Sequence, residues 1–371
     1  MYRKITIKVG SNVLTDSNGM PNEERIAGIV GQIARLKKEK GIDVMLVSSG
    51  AVASGREVIH PAKKSDSVSN RQLWASVGQV RLISLYARLF ASHNLICSQV
   101  LATKEDFRDR RHFLNMRNCL NTLLENHVVP IINENDVVSV NELMFTDNDE
   151  LSGLITDMMN SDALFILSNI NGLYDGDPSE KESRVIRRVD GLTQGVSKMI
   201  STRKSQFGRG GMLTKYSMAR KIAASGTPVH LANGLTPDII LRLIERPDEV
   251  EHTYFVASRK KSSVKKWLAH SESGAKGAIY VNEGACRSLF GPKATSLLPV
   301  GVTRIVGEFL KGDVVAIIDH EALQVGVGKA EYNSDSARKK IGEKNARPMV
   351  HYDYLSLIYS PDTAKYQSDN M

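Results

Sequence analysis

The chain has 371 residues, 42% hydrophobic and 24% charged, with a formal net charge of +8. That length suggests roughly two or three domains, and the composition is that of a globular protein with ample core, which excludes disorder as the main state. No apolar run approaches the roughly 18 residues of a membrane span, and Arg3 and Lys4 lead into a β-like run rather than a secretory signal. Three scattered cysteines, Cys97, Cys119 and Cys286, make no disulfide framework, so a cytoplasmic protein with no membrane partner is expected.

In chain order, residues 5–9 form the first strand-like run, which passes into Lys8-Val9-Gly10-Ser11-Asn12. The backbone amides of such a turn can approach an anion; the alternative is a surface lysine beside an ordinary turn. Ile26, Ile29, Val30, Ile33 and Leu36 then recur at helical spacing, with Gly41 as the C-terminal cap. The second strand, 43–47, ends in Ser48-Ser49-Gly50-Ala51, either a plain helix cap or a place where free N–H groups receive an anion. Leu82, Leu85, Tyr86 and Leu89 mark another helix, 96–101 a third strand, and Phe113, Met116, Leu120, Leu123 and Leu124 a further helix. The fourth strand, 128–132, runs into Asn133-Glu134-Asn135-Asp136.

Next comes Thr146-Asp147-Asn148-Asp149-Glu150, three carboxylates around an asparagine, ahead of an apolar helix at 151–159. Helix capping accounts for one of those acids. The fifth strand, 163–167, ends in Ser168-Asn169, with Asn171-Gly172 close behind, and the sixth, 229–231, in Asn233-Gly234. Between them lies Gly208-Arg209-Gly210-Gly211-Met212-Leu213-Thr214-Lys215, a glycine-rich loop closing on a lysine, without the Walker spacing. Alone, it reads equally as a flexible turn.

Six strands alternating with helices predict an α/β domain, a mostly parallel sheet with helices on both faces, over residues 1–255. In such a sheet ligands bind beyond the carboxyl ends of the strands, where the polar residues above fall. Pro247 closes the last periodic segment, and the cationic SRKKSSVKK at 258–266 marks a linker over 256–273. Short runs at 278–281, 300–306, 314–318 and 324–330, punctuated by glycine turns, predict a small β-barrel or sandwich over 274–360, with a frayed tail from about Pro361. Residues 1–253 hold 32 basic and 29 acidic side chains and the remainder 17 and 12, so most of the positive surplus lies downstream.

Two lysines, two glycine-rich turns and a set of acids at one end of a sheet suit phosphoryl transfer from a nucleotide, where cations must cancel charge on the transferring group. The chain has no G-x-G-x-x-G after its first strand, no G-x-S-x-G elbow and no Cys/His cluster of zinc spacing, which disfavours redox, serine-hydrolase and zinc readings.

The segments ITIKVGSNVLT, VMLVSSGAVASGR, NRQLWASVGQVRLISLY, DRRHFLNMRNCL, VPIINENDVVS, TDNDELS, INGLYDGDP and GRGGMLTK resemble, in this order, the glutamate 5-kinases of the amino acid kinase family. IYVNEGA, SLLPVGVTRIVGEFLKGDVV and YNSDSARKKIG resemble the PUA domain that many of these kinases carry. The resemblance implies an amino acid kinase domain followed by a PUA domain, and ATP- and Mg²⁺-dependent phosphorylation of the side-chain carboxylate of L-glutamate at the start of proline biosynthesis. It places ATP-contacting lysines at Lys8 and Lys215, glutamate-binding groups at Ser49, Asp136 and Asn148, and catalytic acids at Asp147 and Asp149. Nucleotide contacts are implied at Gly10, Ser168, Asn169, Arg209, Gly210, Gly211, Met212, Leu213 and Thr214, with no protein metal ligand assigned. Feedback inhibition by proline and a homo-oligomer, dimer or tetramer, are implied as well. The chain departs from the family pattern in Asn169, where an aspartate is usual, and in Arg209, where a small hydroxyl residue is common.

Two alternatives stand beside this reading. The cationic C-terminal third could bind RNA, making the chain a regulator on a kinase scaffold. Or the acceptor could be another small acid, such as N-acetylglutamate or aspartate.

Overall fold

The structure is a computed structural model and describes residues 2–60, 66–139, 148–178, 180, 182–190, 212–258, 275–291, 295–358, 363 and 366. The chain divides into two compact units, one built on Met1–Asp106 and Arg111–Lys260 and the other on Phe107–Arg110 and Lys261–Met371.

In the first unit the strands are β1 (Lys4–Val9), β2 (Asp43–Ser48), β3 (Cys97–Ala102), β4 (Val129–Glu134), β5 (Ala163–Ser168), β6 (Arg188–Val189), β7 (Val229–Asn233) and β8 (Thr253–Phe255). They form one sheet in the order β3-β4-β2-β1-β5-β7-β8-β6. The pairings from β3 through β7 are all parallel; β8 runs antiparallel to β7, and β6 parallel to β8. All six strands expected from the sequence are present, within two residues at either end. The two that were missed, β6 and β8, are two and three residues long and too short for alternation to register.

Alternation along the strands explains how both faces are covered. Ala163, Phe165 and Leu167 join the core built with the helices Glu23–Lys40, Ser67–Ser92 and Ile239–Glu245, while Leu164 and Ile166 join the core built with the helix Met212–Ala224. The Glu23–Lys40 helix begins at Asn22, whose side chain accepts from the Arg25 N–H, and ends at Gly41 in the left-handed region with φ 62°.

One helix contact bears on the site. The short helix Ala51–Arg56 lies against Ser67–Ser92 through Gly55 and Gly78. A Cβ on Gly78 would sit 1.8 Å from the Ala51 carbonyl oxygen, and one on Gly55 1.9 Å from that of Trp74, so only glycine admits this approach. Toward the amino ends of the strands a neutral polar network is buried: Tyr2 Oη lies 3.0 Å from His230 Nε2, and His230 Nδ1 lies 3.1 Å from His252 Nε2.

The second unit holds β9 (Gly277–Val281), β10 (Val302–Gly307), β11 (Val314–Ile318), β12 (Gln324–Ala330) and β13 (Val350–Leu357), in the order β10-β9-β11-β12-β13. Its pairings are antiparallel except β9 with β11. Four of these strands match the expected runs, and β13 is an addition. The expectation of a frayed tail from Pro361 fails at both tail residues described. Tyr366 stacks on Phe290 with ring centroids 5.7 Å apart and donates to Asp319 Oδ2 at 2.7 Å, and Thr363 is buried. An aromatic ring with a buried acceptor for its hydroxyl outweighs the polar composition around it.

Candidate active site

Register brings the carboxyl ends of the parallel strands to one edge: Val9 pairs with Ser48 and Leu167, and Ser168 with Asn233. Within β1, Ile5, Ile7 and Val9 take one face, so Lys8 takes the other. It is not a surface lysine. Lys8 is 2% exposed, and its Nζ lies 2.6 Å from Asp149 Oδ1. The other oxygen of the same carboxylate, Oδ2, lies 2.9 Å from Lys215 Nζ.

Asp149 is the second residue of the helix Asn148–Met159, where a carboxylate suits the positive end of the helix dipole. Lys215 is in the first turn of Met212–Ala224, where a cation opposes the dipole, and Asp149 supplies the offsetting charge. Met212, Leu213 and Thr214 complete that first turn. The three groups together carry a net charge of +1 in a buried setting, where Coulombic terms are weakly screened. Gly10 borders this cluster, with its N–H on the Leu167 carbonyl at 3.1 Å; a Cβ there would lie 3.6 Å from Lys8 Nζ.

The next group along the edge is neutral. Asn148 Nδ2 lies 2.9 Å from Ser49 Oγ, 3.1 Å from Asn133 Oδ1 and 3.4 Å from the Ser48 carbonyl. Asn133 in turn donates to Gln79 Oε1 at 3.2 Å. Gly50, with φ 107°, makes the turn that leaves Ser49 at the edge, a conformation open to glycine at little cost. Below it Ser48 Oγ and Tyr86 Oη are 2.8 Å apart, and burial pushes the Tyr86 phenol up to about 12.

Beyond β4 stands a second charged cluster. Arg71, on the Ser67–Ser92 helix, places Nε 2.9 Å and Nη2 2.6 Å from Asp136 Oδ1, and Nη2 3.1 Å from Glu134 Oε2. Both acids are buried. Burial pushes the Asp136 carboxyl up from the usual carboxylate range, with Arg71 pulling against it. Gln72 of the same helical turn donates to the Val137 carbonyl at 2.7 Å and ties the helix to this loop.

Lys8, Asp149 and Lys215 are thus brought together, as are Ser49 and Asn148, while Asp136 meets Arg71. Ser168 is buried at the end of β5, and Asn169 beside it is exposed. Asp147, Arg209, Gly210 and Gly211 lie outside the described residues. Sequence reasoning assigned no part to Arg71 or to the Asn133 side chain. Arg71 falls within the quoted NRQLWASVGQ segment, but nothing in a single sequence joins it to acids more than sixty positions later. Among the described residues no three His, Cys, Asp or Glu side chains converge as a metal cage, and no helix is long and apolar enough to cross a membrane.

Comparison with known proteins places this geometry. Residues 3–233 match the amino acid kinase family and residues 277–352 the PUA domain. A glutamate 5-kinase from Bacteroides thetaiotaomicron is 53% identical over 355 residues, covering 95% of this chain and 98% of the relative. One from Chlorobaculum tepidum is 45% identical over 359 residues, covering 96% and 98%. Among solved structures, a carbamate kinase from Giardia lamblia bound to AMP-PNP covers 69% of this chain and 99% of its own, with 15% identity and a TM-score of 0.49. The chain belongs to the amino acid kinase family, in its glutamate 5-kinase branch, and carries a C-terminal PUA domain.

Proposed function

We propose that the protein transfers the γ-phosphoryl group of ATP to the side-chain carboxylate of L-glutamate, giving L-glutamyl 5-phosphate and ADP, the first step of proline biosynthesis. The observation that carries the mechanism is the single buried carboxylate of Asp149 held between Lys8 and Lys215. A glutamate side chain has a reference pKa of about 4.3, so the nucleophile is ionised at neutral pH and no general base is needed. What must be overcome is repulsion between that carboxylate and the polyphosphate. Lys8 and Lys215, fixed by Asp149, present two ammonium groups to the transferring phosphoryl; one glutamate oxygen forms the new bond to phosphorus as the bond to the β-phosphate oxygen breaks.

Ser49, Asn148 and Asp136 bind the glutamate backbone end: Asp136 receives the α-ammonium, and Asn148 Oδ1, buried with no hydrogen bond among the described residues, adds an acceptor. Gly10, Ser168, Asn169 and the segment 209–215 bound the nucleotide, and Asp147 shares the charge balance with Asp149. Both Asp149 oxygens are engaged by lysines, so phosphate oxygens and water would supply most ligands of the Mg²⁺ accompanying ATP. When bound it neutralises charge on the phosphates.

The kinase domain spans 1–255, the linker 256–273 and the PUA domain 274–360. Proline, which shares the α-ammonium and α-carboxylate, competes at the glutamate subsite, and the protein assembles as a homo-oligomer. RNA binding through the PUA domain is supported by the presence of that domain and by the positive surplus downstream of residue 253.

Purified protein with ATP and Mg²⁺ should yield a hydroxamate when glutamate turnover is trapped with hydroxylamine. If N-acetylglutamate or aspartate turns over faster than glutamate in a panel, the acceptor assignment fails. A salt-dependent gel shift no tighter than that of a charge-matched control removes the RNA role.

A further inference from the structure

We infer that Arg71 is a positioning residue of the acceptor subsite, gripping Glu134 and Asp136 so that Asp136 stands ionised and aimed at the substrate ammonium; this rests on the glutamate reading above.

The geometry is specific. One guanidinium spans two buried carboxylates two residues apart in the chain, at 2.6–2.9 Å for Asp136 and 3.1 Å for Glu134. Arginine's planar fork suits this, where a lysine would act only as a point charge. Two buried carboxylates this close, with no cation between them, would keep a proton on one of them. With Arg71 between them both can ionise, which leaves Asp136 carrying the charge that a ligand ammonium requires.

Among the described residues, the charged groups set against Asp136 are Arg71, from the Ser67–Ser92 helix, and, across the same guanidinium, Glu134 from β4. Burial raises the Asp136 carboxyl and Arg71 lowers it, so loss of Arg71 raises it further. Arg71 itself is anchored from its own turn, since Gln72 holds the Val137 carbonyl.

The test uses the full chain with Arg71→Gln, Arg71→Lys and Asp136→Asn. Arg71→Gln should raise KM for glutamate roughly 10- to 100-fold, with kcat and KM for ATP near wild type. It should also move the acid limb of kcat/KM for glutamate up by about 1 to 3 pH units. Arg71→Lys should restore most of the pH profile but not the full affinity, and it keeps the test open if the glutamine variant folds poorly. An unchanged glutamate KM and acid limb in Arg71→Gln, or equal losses for glutamate and ATP, would overturn the inference. If Asp136→Asn also leaves glutamate KM unchanged, the glutamate subsite itself has been misassigned. If Asp136→Asn raises it and Arg71→Gln does not, only the role of Arg71 fails.

Discussion

Two clusters of buried charge stand at the carboxyl ends of the parallel strands, built from the same kinds of group in opposite proportion. At one, a carboxylate sits between two lysines; at the other, a guanidinium sits between two carboxylates. Counted over these groups alone, the first sums to +1 and the second to −1. Between them runs the neutral bridge of Asn148, Ser49 and Asn133. Asn148 and Asp149 are chain neighbours at one helix N-terminus, yet one side chain serves the bridge and the other the lysines. A zwitterionic acceptor whose far carboxylate must meet a polyphosphate needs this sequence of environments: negative for its ammonium, neutral for orientation, positive for the transfer.

The contrast predicts that substitutions divide by substrate. Lys8→Met, which removes one of the two charges proposed to face the transferring group, should lower kcat about 10²- to 10³-fold, the usual loss for one preorganised transition-state donor. Steady-state assays at saturating glutamate check it, and a change confined to KM for glutamate would erase the distinction between the clusters. Asp136→Asn should act on the other side, raising KM for glutamate about 10- to 100-fold with a smaller change in kcat. Isothermal titration with glutamate alone would measure the same loss without turnover.

Most of the first cluster was legible from the sequence, because Lys8 and Asp149 sit at a strand end and a helix start, both local signals. Lys215 closes the loop at 208–215, another local signal. The second cluster was half legible: Asp136 follows β4, but its partner Arg71 comes from the first turns of a long helix, and the pairing exists only once that helix is packed. Gly55 and Gly78 show why. Their role is to let two helices touch at backbone distance, and neither shows a local pattern that distinguishes it from any other helical glycine. The same holds for β6 and β8, which pair at the sheet edge through long-range contacts and carry almost no periodicity of their own.

That packing offers a sharper test of how the clusters are held. In Gly78→Ala the added methyl meets the Ala51 carbonyl, so one helix must shift, at a cost of about 1–3 kcal/mol. The melting temperature should fall. Because Arg71 and Gln72 ride on the same helix, KM for glutamate should rise more than KM for ATP. Equal changes in both would mean that the helix moves as part of a whole-domain loosening.

The smallest expected effect lies away from both clusters. The Tyr2–His230–His252 cluster is neutral: burial, with His252 beside it, holds His230 down to about 3, and burial chiefly raises Tyr2 to about 12. His230 stacks on Phe165 at 4.8 Å, and Tyr2 and His252 occupy its two ring nitrogens. In the native state this imidazole stays unprotonated where an unfolded histidine, at about 6.5, would already be charged. Its folded value is depressed, so the unfolded state binds the extra proton between pH 6.5 and 3, and stability falls as pH falls through that window. One proton sets a ceiling of about 1.4 kcal/mol per pH unit. Thermal melts from pH 7 to 4 should show a shallower decline for His230→Gln than for wild type, while the acid limb of kcat/KM, which the proposal assigns to Asp136, stays where it is. If the variant moves that limb as well, the acceptor subsite is coupled to the far end of the sheet, and the two charge clusters no longer account for the pH dependence by themselves.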